Sequence, residues 1–190
     1  MNTTFLFTYA SLAHGLLAYS YINKIDHKHR EKLLYLFAHI FITLAMCLRI
    51  NESYIGNIIP SLFGTIGHSL LLIFFILSTY IFHKKYHVAF NDDLYYLNNI
   101  CIFGQIGMIL IYWIEYFKKH KYNLENKSFF YNTQNFIFTI LSLFYLCVAL
   151  KSPDKFSSLF LSLIMISILY VFFLYNNYSE ENKNKNKNKN

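Results

Sequence analysis

Three histidines stand where a histidine is costly to place. His14, His39 and His68 each fall inside a long apolar run, and Gln105 falls inside a fourth. Imidazole exchanges protons and binds transition metals near neutral pH. A histidine inside an apolar run therefore has several uses. It can belong to a proton or ion path. Two can hold a haem b axially, or three can hold a transition metal with Gln105 or water completing the set. Each can also simply hydrogen-bond to the next helix. Glycines flank the group: Gly15 follows His14, Gly67 precedes His68 and Gly104 precedes Gln105. Beside a polar residue, glycine admits either a neighbouring backbone or a flat ligand.

A second histidine set is His27-x-His29 with His83-x-x-x-His87, accompanied by Asp26, Glu31, Asp92 and Asp93. Histidines with carboxylates suit zinc or a di-iron centre. His83 and His87 share a face if their helix continues that far. The chemistry this would serve is that of a membrane-embedded lipid-modifying enzyme. Lys28, Lys84 and Lys85 interleave the set and repel a cation, so a wet, mixed-charge interface is the competing reading. No Gly-rich phosphate loop, nucleophile elbow or carboxylate dyad is present to mark a catalytic centre.

The elements that must position these residues follow from composition. The 190-residue chain is 55% hydrophobic and only 14% charged, against about 25% charged in soluble domains. Six apolar runs, at about 5–22, 33–50, 58–82, 96–117, 129–150 and 156–175, are each close to the length that spans hydrocarbon. In lipid they must be helices, because an open strand leaves its amides unpaired. The expected fold is therefore all-α: a polytopic membrane bundle of about six transmembrane helices over residues 1–175, in one integral, multi-pass membrane protein. The first run lacks the basic flank and cleavage site of a signal peptide and is expected to be retained. Residues 176–190, rich in Asn and Lys, are expected to be a disordered tail. Cys47, Cys101 and Cys147 all lie in apolar runs and form no disulfide framework.

Counting 1.5 Å per residue from the side of the first connection places His14 at ~12 Å, His39 at ~9 Å, Gln105 at ~14 Å and His68 at ~14–20 Å. All four then lie in one slab between helices one to four. Small or polar neighbours accompany them: Ser11 near His14, Thr43 and Cys47 on the His39 face, Thr65 near His68, and Cys101 and Tyr112 near Gln105. Such residues mark helix–helix contact. Glu115, beside Trp113 and Tyr116, is expected at the far interface. Phe63-Gly64-Thr65-Ile66-Gly67 and Phe103-Gly104-Gln105-Ile106-Gly107 share a Gly-x-x-Gly notch, which hints at an inverted repeat.

The partners follow from charge. A net charge of +7 held in short basic connections suits anionic lipid headgroups, and nothing in it is built to read nucleic acid. Homo- and hetero-oligomers both stay open. Lys and Arg number eight on the side of the first connection and five opposite, plus four in the tail, which gives only a lean toward a cytoplasmic first connection. With no motif for a reaction, the leading reading is a non-enzymatic small carrier, channel or membrane-complex subunit. A haem- or metal-binding redox protein and a lipid-modifying enzyme are the alternatives.

Overall fold

A computed structural model describes residues 2–22, 31–85, 92–119, 127–151 and 157–187. Six α-helices follow one another: α1 (Thr3–Ile22), α2 (Glu31–Arg49), α3 (Ile58–Lys85), α4 (Asp92–Lys119), α5 (Lys127–Lys151) and α6 (Ser158–Lys187). No strand occurs among the described residues.

Their starts are written locally. Asn2 Oδ1 accepts the Thr4 N–H at 2.9 Å, Asn57 Oδ1 the Ile59 N–H at 3.3 Å, and Ser157 Oγ the Phe160 N–H at 3.2 Å. Each satisfies one amide that the first turn leaves without a helical partner. Pro60 sits in the first turn of α3, where its missing N–H costs nothing. Between α2 and α3 the chain makes a short 3-10 turn, Glu52–Tyr54, and reverses at Gly56 with φ of 67°. That left-handed conformation is costly for any residue with a Cβ.

Each helix packs against the next, and α1 also packs against α6. The six therefore close into a ring of alternating direction. The inner face of α2 repeats as Tyr35, Ala38, Ile42, Ala45 and Arg49, alternating steps of three and four. Cys47 is exposed and stands off this face, so the interior stripe containing His39 continues through Ile42 and Met46. The outer surface is apolar: Leu12, Phe103, Phe136, Leu143 and Val171 are all half or more exposed. Water would penalise that arrangement, whereas lipid favours it.

Five helices are long and apolar enough to cross a membrane, over Lys32–Arg49, Ile58–Thr79, Asn98–Phe117, Asn132–Lys151 and Ser158–Ser179. The remaining expected span, α1, is a 20-residue helix that is not among them. Its hydroxyls turn back onto its own backbone: Thr8 Oγ1 donates to the Thr4 carbonyl, Ser11 Oγ to that of Phe7 and Ser20 Oγ to that of Leu17. His14 points into the ring. At the other end, α6 continues to Lys187, well into the segment expected to be disordered. Extending an existing helix costs far less than starting one.

The Gly-x-x-Gly notches are filled by protein. A Cβ on Gly64 would stand 2.3 Å from the Tyr112 ring, and one on Gly67 would stand 2.6 Å from Ile42 and 2.8 Å from the Ala38 carbonyl oxygen. On α4, Gly104 and Gly107 receive Leu141 and Ile137 of α5. The two notches thus serve different neighbours: the first takes α2 and α4, the second α5. Gly15 is different again, because a Cβ there would find only Thr43, at 3.8 Å.

Candidate functional site

The polar layer resolves into two pairs. His14 and His39 are joined across α1 and α2 by a hydrogen bond of 2.9 Å between their Nδ1 atoms, with the rings stacked at 5.2 Å. One Nδ1 donates and the other accepts. Across α3 and α4, His68 Nδ1 lies 2.7 Å from Gln105 Oε1. An amide oxygen can only accept, so His68 carries its proton on Nδ1 and presents a bare Nε2. The Gln105 amide nitrogen donates in turn to Cys101 Sγ at 3.4 Å. All four polar residues are at most 2% exposed. His68 lies within electrostatic reach of both His14 and His39. The layer is only half satisfied: Nε2 of His39, Nε2 of His68 and Oγ1 of Thr65 are buried without a hydrogen-bond partner.

Near the first-connection ends of the helices lies a cavity of about 190 Å³. Every helix lines it, through Tyr21, Tyr35, Phe75, Asn98, Tyr145 and Leu163 in order from α1 to α6. Its lower wall leads to the polar layer. Tyr35 packs on His39 with ring centroids 4.5 Å apart, and Tyr145 lies beside Gln105. The cavity is thus an aromatic vestibule, with Tyr35 and Tyr145 between it and the polar layer.

At the opposite end of the ring a buried ion pair joins α2 to α4. Arg49, the last residue of α2, is 3% exposed, and its Nη1 donates to Glu115 Oε2 of α4. Its guanidinium lies over the Tyr112 ring at 4.4 Å, with the Phe7 ring at 5.9 Å. Glu115 stands at the end of its span, as expected, but its pairing with a buried Arg49 is not evident from the sequence. The two residues are 66 positions apart, and a basic residue at a helix end ordinarily reads as a loop charge.

The His14–His39 geometry does not fit a tetrahedral zinc or an axially held haem shared by those two rings. Two nitrogens on one tetrahedral zinc stand ~3.3 Å apart and two axial haem ligands farther still, against the 2.9 Å found here. The notch beside His68, where a flat macrocycle would have to enter, is occupied by Tyr112 and Ile42. Among the described residues, no group of three His, Cys, Asp or Glu could hold a metal ion. Of the second histidine set, His27, His29 and His87 lie outside the described residues, and His83 is described only as backbone of α3.

Fold and site together define an all-helical bundle with five helices long and apolar enough to cross a membrane and with a central polar layer. Comparison with known proteins adds nothing to that class: no family model matches the chain, and no curated protein or solved structure matches it.

Proposed function

We propose that the chain is a small, non-enzymatic membrane carrier that receives a solute in the vestibule and holds it against the His39 and His68–Gln105 groups. One observation carries this reading. The cavity is walled by all six helices near the first-connection end of the bundle, while the buried Arg49–Glu115 pair occupies the other end. A channel needs a continuous path, and a purely structural subunit needs no central cavity. The bare Nε2 of His68 and the unpartnered Nε2 of His39 add unmet hydrogen-bonding capacity below the cavity, and an entering solute would satisfy it.

Accessibility labelling tests the reading. Cys47 and Cys147 are exposed and are first replaced by serine. Val148, which lines the vestibule, is then changed to cysteine in proteoliposomes. A membrane-impermeant maleimide applied to one side at a time is expected to modify Val148→Cys from the side of the first connection only. Equal labelling from both sides identifies a channel. Absence of labelling from either side removes the vestibule, and with it the carrier reading.

A further inference from the structure

The buried guanidinium of Arg49 uses only part of its donor capacity. Nη1 is bonded to Glu115, whereas Nε and Nη2 have no hydrogen-bond partner and are shielded from solvent. These two atoms form one edge of the guanidinium, with parallel N–H bonds at the spacing of two oxygens of a phosphate or carboxylate. A third orphan donor belongs to the ring beneath the guanidinium: the Tyr112 hydroxyl is also buried without a partner. The two unmet guanidinium donors are held by an ion pair on one side and a ring face on the other. A fixed cation with an open fork in a low-dielectric site is strongly disfavoured unless an acceptor completes it.

We propose that the open edge of Arg49, with the Tyr112 hydroxyl, is the seat of a phosphate oxyanion. Position supports a phosphate. Arg49 ends α2 at the margin of its span, the depth at which headgroup phosphates lie. Glu115 is not in the way, because it occupies the other edge and is itself 30% exposed. The phosphate comes either from a phospholipid headgroup of that leaflet or from a free anion.

Native mass spectrometry separates these sources. The full chain is purified in a phosphate-free maltoside detergent. It is then titrated separately with phosphatidylglycerol, with digalactosyldiacylglycerol (which has no phosphate) and with inorganic phosphate. A lipid source is expected to give a saturable adduct with phosphatidylglycerol that the galactolipid does not reproduce, and a free-anion source a saturable adduct with inorganic phosphate. In either case Arg49→Lys keeps the charge but loses the fork, and its Kd is expected to rise about tenfold. Tyr112→Phe keeps the ring under the guanidinium and removes only the hydroxyl, with an expected weakening of about threefold. The site is overturned if neither phosphate source binds, if the galactolipid binds as well as the phospholipid, or if Arg49→Lys binds like the parent chain. Should Arg49→Lys fail to fold, an unchanged Kd in Tyr112→Phe overturns it equally.

Discussion

At the scale of single residues, the cost of a buried polar atom decides which neighbours it takes. His68 and Gln105 are both fully enclosed, and each is the other's main partner at 2.7 Å. Removing one leaves the other's donor or acceptor unpaired, whereas replacing both by apolar groups leaves neither orphaned. His68→Leu and Gln105→Leu are therefore expected to destabilise singly, and the double variant by less than their sum. The coupling expected for a hydrogen bond between membrane helices is about 1 kcal/mol, read as a double-mutant cycle of SDS-unfolding midpoints. Strict additivity would mean that the pair is not formed. These partners were half legible in the sequence. Helical rise and alternating direction place the three histidines and Gln105 in one slab, because α1–α2 and α3–α4 are chain neighbours. What rise cannot supply is rotation about each helix axis. Rotation is why the four residues form two pairs rather than one cluster, and why Cys47 is exposed on a helix whose His39 is buried.

At the scale of helices, the glycines show where backbones must meet. Gly67 of α3 lies so close to α2 that an added Cβ would sit 2.8 Å from the Ala38 carbonyl oxygen. That obstacle is backbone in mid-helix, and it cannot swing aside as a side chain can. Gly67→Ala is thus expected to force α2 and α3 apart and to cost about 1–3 kcal/mol, the usual penalty of overpacking. Gly15→Ala provides the contrast. Its Cβ would find ordinary van der Waals room beside Thr43, and removing a helical glycine is itself worth about 0.5–1 kcal/mol. The pair can be compared by unfolding midpoint in one detergent; equal effects would show that α2 and α3 are not in close contact. Sequence alone gives both glycines the same place beside a histidine. Only the packing distinguishes a glycine required by a neighbour from one with ordinary room for a methyl group beside it.

At the scale of the whole molecule, the open question concerns α1. Five helices are long and apolar enough to cross a membrane, and α1 is not among them. Its place in the ring is held by specific partners instead. His14 bonds to His39 of α2, and Tyr9 meets Phe172 of α6 with ring centroids 5.3 Å apart. Phe7 lies 6.4 Å from Phe173. The buried face of α1 includes Leu6, Ala10, Ala13 and Leu17. Its polar groups are thereby turned inward or bonded to its own backbone, which is the condition for a marginal helix to reside in lipid. If α1 completes the ring, the chain crosses six times, and Thr3 at the start of α1 and the end of α6 lie on the same side. If α1 rests at the surface, five crossings put them on opposite sides, and the vestibule loses the wall that Tyr21 supplies. Reporters of compartment fused separately to the two ends are expected to agree. Oxidation of a Tyr9→Cys/Phe172→Cys variant, with Cys47 and Cys147 replaced by serine, is expected to give an intramolecular disulfide. Opposite compartments together with no cross-link would open the ring between α1 and α6, and with it the central cavity that the carrier reading requires.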